Sequence, residues 1–249
     1  MADKLSDIAY KHIVRKLMTS ELVSGQKISE HTIAAECGIS RTPVREAIRR
    51  LIQENVLYQK ASIGTFVAQM DRRQIKDAYE MRMVIECHAI VQSIRNLTRE
   101  ERQELRRLCN EMREIILRLR TKENNLLEGE DLIAFLSYDL TFHLLLLKAA
   151  GNRLAIQIVT SAYQRHHFFG HHSHHRNIQH LAWVWRHHSK IERALRRGDD
   201  VGAQNWMRAH IARSQRDALA AFDQAAAHVT DGGRDPVDDA LEQLIDCLD

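Results

Sequence analysis

Proline and glycine are scarce in this chain, two and ten of 249 residues. Leu, Ala, Arg, Glu and Ile dominate instead, and a sequence so poor in helix breakers argues against a sheet-rich fold. Cysteine is sparse too. Cys37, Cys87, Cys109 and Cys247 are scattered with no C-x-x-C pair, so neither a disulfide framework nor a thiolate zinc site is indicated, and buried or free thiols are expected. No stretch approaches the roughly 18 to 20 apolar residues of a membrane span. The start, Met1-Ala-Asp-Lys-Leu-Ser-Asp, lacks the basic and apolar segments of a signal peptide, and a cytoplasmic protein with no membrane partner is expected.

Strong net charge is missing as well, at +3, but its distribution is uneven. Residues 41–50 carry four arginines against one glutamate, whereas residues 229–249 carry seven acidic side chains against one arginine. The length allows one large core or two moderate ones. The patterning divides the chain into residues 1–70, residues 74–228 and an acidic tail over 229–249, in which a short amphipathic helix is expected from Asp238 onwards.

In the first segment, Ile8, His12, Ile13 and Leu17 have helical spacing and predict a helix over 8–22. A turn through Gly25 follows, then Ser29 as the cap of a second helix that stops at Gly38. Thr42-Pro43 reads as the cap and first position of a third helix, continued by Val44, Ala47, Ile48 and Leu51. Helix, glycine turn, helix is the helix-turn-helix pattern. Arg41, Arg45 and Arg49 recur at intervals of four, giving either a solvated basic face or a face for phosphates and guanine edges. Val56–Lys60 and Thr65–Ala68, separated by Ala61-Ser-Ile-Gly64, read as two short strands of a wing.

The string GISRTPVREAIRRLIQENVLYQKASIGTFVA closely resembles the DNA-binding module of GntR-family bacterial transcription regulators. The resemblance implies a winged helix-turn-helix in which Arg41 and Arg45 read bases or phosphates, with Arg49 on the same basic face. Ser40 and Thr42 would bond phosphates, Gly64 would let the wing approach the minor groove, and His31 would be a further contact. The family's wing often carries a basic residue just before this glycine; here Ile63 stands there.

The second segment is one helical pattern after another, over residues 74–96, 99–121, 130–149, 152–169, 178–197 and 200–225, which predicts an all-helical antiparallel bundle. The apolar stripe Leu132, Phe135, Leu136, Phe142, Leu146, Leu147 is interrupted by Asp139 and His143. A buried carboxylate requires a partner, and the two residues either pair with each other or share a larger site. His188 falls on the stripe of Leu181, Val184, Ile191 and Leu195, and His210 on the face of Ala203, Trp206 and Met207. One Asp and three His on inward faces of three helices make a candidate site for a divalent ion, with zinc, manganese and nickel all compatible.

The spacing D-x-x-x-H before A-x-G-N, then H-x-x-I-x-x-A-L-x-x-G-D and M-R-x-H-I, is similar to the FCD effector domain of the FadR subgroup of GntR regulators. That resemblance implies metal ligation by Asp139, His143, His188 and His210, with a small carboxylate effector completing the coordination. Arg82 resembles a pocket-facing arginine of such domains, with a salt bridge to Glu86 as the alternative. The run HHFFGHHSHH, with six histidines in residues 166–175, divides: His166 and His167 are candidate effector contacts at the end of a helical stripe, and the later four fall in a loop.

The expected function is a DNA-binding transcriptional regulator, a repressor, that acts as a homodimer on double-stranded operator DNA under control of a small organic acid. Two alternatives remain at this point. In a metal sensor the ion itself is the signal; in a metalloenzyme with a DNA-binding head the site would activate water. No H-E-x-x-H motif occurs, and no further carboxylate is evidently placed as a general base, so the protein is expected not to be an enzyme.

Overall fold

A computed structural model describes residues 4–121, 126–169 and 177–231. The N-terminal part runs α1 (Leu5–Met18), β1 (Lys27–Ile28), α2 (Glu30–Cys37), α3 (Arg41–Gln53), β2 (Leu57–Lys60) and β3 (Gly64–Val67). Six helices follow: α4 (Arg72–Asn96), α5 (Arg99–Leu119), α6 (Gly129–Ala149), α7 (Arg153–Phe169), α8 (Ile178–Arg197) and α9 (Asp200–Asp231).

Local signals account for most boundaries. Ser29 Oγ accepts from the Thr32 amide at 3.2 Å, and Gly38 ends α2 in the left-handed conformation at φ 65°. Asp71 and Thr98 each close a capping box, with Gln74 and Glu101, at the starts of α4 and α5.

Three expectations need correction. The first helix occupies residues 5–18, not 8–22, because Ser20 adopts φ 61° and breaks it. α3 begins at Arg41 after Ser40, so Thr42 and Pro43 lie inside its first turn, where a missing N–H costs no intrahelical bond. The wing has three strands: β1 joins β3 on its free edge, giving the antiparallel order β1-β3-β2. Lys27 pairs with Phe66, and Tyr58 pairs with Phe66 from the other side.

In the bundle, α4 packs on α6, α7 and α9, while α5 packs on α6 and α8, and α8 on α9. Leu105, Leu108, Phe142, Leu146, Ile191, Leu195, Met207 and Ile211 are buried between these helices. α6 is 21 residues long, and its best window has a mean hydropathy of 1.5. It is thus long and apolar enough to cross a membrane, contrary to the expectation that no segment is. Its buried face, from Leu132 to Leu147, is spent on neighbouring helices, as in the core helix of a bundle.

Of the cysteines, Cys37, Cys87 and Cys109 are free thiols. Cys247, residues 170–176 of the histidine run and the acidic segment beyond Asp231 lie outside the described residues.

Candidate functional site

The basic helix α3 buries Val44, Ala47, Ile48 and Leu51 and leaves Arg41, Thr42, Arg45 and Arg49 exposed on its other side. Ser40 and His31 are exposed next to it. The fourth arginine is not part of this face. Arg50 bonds Glu54 at 3.1 Å, approaches Asp7 at 3.5 Å and lies 3.9 Å from the centre of the Tyr10 ring, so it ties α3 to α1.

Glu30, at the start of α2, reaches across to the basic face. Its carboxylate accepts from Arg45 Nε at 3.2 Å and Arg45 Nη2 at 2.9 Å, and from Arg41 Nη2 at 3.1 Å. The Arg45 hydrogen bonds hold the Glu30 carboxyl below its ordinary range despite some burial.

At the wing, Gly64 has φ 136°, a conformation that side chains avoid. A Cβ there would stand 2.7 Å from Lys27 Cε. The Lys27 side chain from β1 thus lies over the wing glycine, bringing a cation to the place where Ile63 provides none. Lys27 carries no signal in the sequence because β1 is only two residues long.

The second constellation is in the bundle. Asp139 and His143 from α6, His188 from α8 and His210 from α9 are all buried. One ligand atom from each lies within 4.8 Å of the others. His188 Nε2 is 3.3 Å from His143 Nε2 and 3.3 Å from Asp139 Oδ1. Tetrahedral zinc arms of about 2.0 to 2.1 Å place neighbouring ligand atoms roughly 3.3 Å apart, so these two separations suit a shared ion. Asp139 Oδ1 and His210 Nδ1 are buried with no hydrogen-bond partner, which is costly for a folded chain unless something else meets them. The donor set, one carboxylate and three imidazoles, fits a borderline divalent ion.

The surroundings prepare these groups. Burial pushes His188 down to about 3, opposed in part by Asp139, and pushes His210 well below its usual value, helped by His188 and His143. Both rings are therefore neutral near pH 7, with lone pairs available. Phe142 stacks on His188 at 4.3 Å between ring centres, and Trp183 stacks on His210 at 5.4 Å. His187 points elsewhere, with its ring 4.3 Å from that of Trp183.

Three further groups surround the site; from the sequence, Glu86 is expected only as a salt-bridge partner of Arg82. Tyr163 of α7 donates its hydroxyl to Asp139 Oδ2, so the partner of Asp139 outside the set is a phenol. Glu86 of α4 brings Oε2 to 2.5 Å from His143 Nδ1, the ring nitrogen on the far side from His188. Burial alone would raise the Glu86 carboxyl, but Arg82 and His143 outweigh it and hold it down to about 2. Met112 Sδ lies 3.4 Å from His188 Nδ1. Glu86 had a signal: Ile75, Tyr79, Arg82, Glu86 and Ile90 form the buried stripe of α4.

Arg82 makes the salt bridge to Glu86 and also borders a cavity. Its Nε donates to Glu86 Oε1 at 2.7 Å, and the residue also lines a cavity of about 30 Å³ with Tyr79, Asp139, His180, His210 and Ser214. A second cavity, of about 310 Å³, shares His180 and is lined by Gln179, Trp183, Arg213, Asp217 and Gln224. The side chains of His166 and His167 lie outside the described residues.

Comparison with known proteins agrees with this architecture. The FCD domain model matches residues 77–213, and the model of bacterial regulatory proteins of the gntR family matches residues 5–67. The Nta operon transcriptional regulator of Aminobacter aminovorans is 30% identical over 141 residues, covering 57% of this chain and 61% of the relative. The gluconate operon transcriptional repressor of Bacillus subtilis (strain 168) is 34% identical over 79 residues, 32% of each chain. The chain thus spans less than two thirds of the length of these relatives. Both relatives are regulators of operon transcription.

Among solved structures, Escherichia coli McbR/YncC superposes with a TM-score of 0.71 at 19% identity, over 90% of this chain and all of that one (100%). A GntR regulator from Rhodococcus sp. RHA1 gives 0.69 at 18% identity, over 87% and 98%. At such identities the likeness concerns the fold alone. The FCD model spans more than half of the chain and the gntR model the winged helix-turn-helix before it, so the chain belongs to the GntR family of bacterial regulatory proteins, in the branch that joins a winged helix-turn-helix to an FCD domain.

Proposed function

We propose that this protein is a cytoplasmic transcription repressor whose operator affinity is set by a small organic acid bound at a metal site in the helical domain. The observation that carries this reading is the convergence of Asp139, His143, His188 and His210 beside a cavity that Arg82 also lines. Those four residues would hold the ion. A divalent ion there offers an electrophilic centre to a carboxylate, and Arg82 offers a charge-assisted hydrogen bond to the same group. The inner cavity, about 30 Å³, has room for roughly one or two waters. It suits the carboxylate end of an effector, and the adjoining cavity of about 310 Å³ suits its remaining atoms.

For the DNA-binding part, the exposed arginines of α3 and the wing support binding to double-stranded operator DNA through Arg41, Arg45 and Arg49, with Ser40, Thr42, His31 and Gly64 at the margins. One such head reads too few base pairs for high specificity, so a homodimer on paired half-sites is part of the proposal. The effector acts by binding the two arrangements of the heads with different affinity.

The small inner cavity also favours a second reading, a metal sensor in which the ion is the signal. Titration separates them. Full-length protein is used to select duplexes from a random library, and zinc is added with and without a panel of small carboxylic acids while binding is followed. Release or tightening that requires an acid supports the first reading; a full response to zinc alone supports the second. Arg45→Ala should lose the selected duplex and keep its zinc affinity, and equal binding of that duplex by both proteins would remove the DNA assignment.

A further inference from the structure

The contact between Glu30 and the two arginines leads beyond the assignment of a DNA-reading face, on which it rests. An arginine side chain has two edges that can form a forked pair of hydrogen bonds: the Nε and Nη2 edge, and the end-on Nη1 and Nη2 edge. Glu30 takes the first edge of Arg45, at 3.2 and 2.9 Å. The end-on edge stays available, and a fork of that kind is what meets O6 and N7 of guanine in the major groove. The same carboxylate holds Arg41 through Nη2 at 3.1 Å, so one anion fixes the directions of two neighbouring cations. Their side chains are 60% and 49% exposed for Arg41 and Arg45, against 27% for Glu30. The arginines face solvent, and the carboxylate sits behind them.

We propose that Glu30 is a specificity-determining positioning residue, which holds Arg45 by its inner edge for base recognition and withholds Arg41 and Arg45 from indiscriminate contact with phosphates. Two consequences pull in opposite directions, which makes the idea distinguishable from a purely structural role. Non-specific affinity rises with the number of cations free to neutralise phosphates, so an anion paired to two of them lowers it. Specific affinity depends on a side chain held in the orientation the base edge requires, and a held fork loses less freedom on binding than a loose one. A residue that merely capped α2 would move both affinities together, through the stability of the domain.

The test uses full-length protein, a duplex selected by the wild-type protein from a random library, and a scrambled duplex of the same composition. Binding of each is measured for wild type and Glu30→Gln over a range of salt concentrations. Glu30→Gln should bind the scrambled duplex roughly two- to fivefold more tightly, the range that one exposed charged contact spans. It should bind the selected duplex less tightly, so that the ratio of the two affinities falls at least about tenfold, within what one bidentate base contact supplies. The salt dependence on scrambled DNA should steepen, because more phosphate-bound counterions are released. Glu30→Asp keeps the charge but shortens the reach, and should recover part of the ratio. It also serves if the glutamine variant does not fold. An unchanged ratio in folded Glu30→Gln, or parallel weakening on both duplexes, overturns the proposal and leaves the DNA-reading assignment standing. Failure of the wild-type protein to select any duplex overturns both.

Discussion

Glu86 Oε2 stands 2.5 Å from Nδ1 of His143, while Nε2 of the same ring stands 3.3 Å from Nε2 of His188. The carboxylate thus turns the imidazole so that its other nitrogen faces the cluster. A partner of this kind on the far nitrogen fixes ring orientation and raises the basicity of a ligand, and its loss typically costs about 10- to 100-fold in metal affinity. Arg82, bonded to Glu86 through Nε at 2.7 Å, keeps that carboxylate charged.

Glu86→Gln should therefore weaken zinc binding by about 10- to 100-fold, measured by competition with a chromophoric chelator. It should also lower stability by roughly 3 kcal/mol, because the Arg82 charge loses its buried partner. Unaltered zinc affinity in a folded variant would show that His143 orients itself without Glu86.

How far all this could be read from residues alone depends on the range of the interaction. The inward positions of Asp139, His143, His188 and His210 follow from helical periodicity, a local property, and the four converge as the spacing implied. Tyr163 on Asp139 and Glu86 on His143 are contacts between helices; no spacing along the chain encodes which faces meet. Thr42-Pro43 places the start of α3 two positions late, because Pro43 is tolerated anywhere in the first turn. β1 is two residues long, too short for alternation to register, and exists only because β3 has an edge to pair with. The pairing of Glu30 with Arg45 also depends on the packing of α2 against α3.

The thiols offer a check on the bundle core through pH. Burial pushes Cys109 up to about 12 from 9.0, with nearby Glu192 adding to the effect. A thiol whose folded value is raised binds its proton more tightly in the folded state. Its contribution to stability is full below pH 9 and is lost as pH rises from 9 towards 12. At pH 8 Cys109 should react with iodoacetamide far more slowly than in urea, because the thiolate is the nucleophile. Peptide-level labelling checks this, and native reaction at the unfolded rate would place Cys109 outside the core.

Gly64 tests the wing. Its φ of 136° and the 2.7 Å approach of a Cβ to Lys27 Cε both oppose a side chain. Gly64→Ala should cost roughly 1 to 3 kcal/mol from the backbone alone, and Lys27 must move off the glycine. Thermal melting reads the first effect. Weaker binding to a duplex selected by the wild-type protein reads the second. A variant with unchanged melting and unchanged DNA affinity would mean that neither the conformation nor the Lys27 contact matters.

Metal removal bears most directly on the bundle site. Asp139, His143, His188 and His210 come from three helices, so an ion held by them binds the folded bundle and not the separated chain. Linkage then requires stabilisation of about 4 kcal/mol when free zinc exceeds its Kd by roughly a thousandfold. For a protein of this size that raises the melting temperature by roughly 8 to 16 °C. Adding EDTA in excess should reverse the rise, and His210→Ala should abolish most of it, while Arg45→Ala should leave it intact because that residue lies in the other domain. A melting temperature that moves by less than about 1 °C between zinc and EDTA is too small for this linkage. It would mean that the cluster is a buried polar network satisfied without an ion.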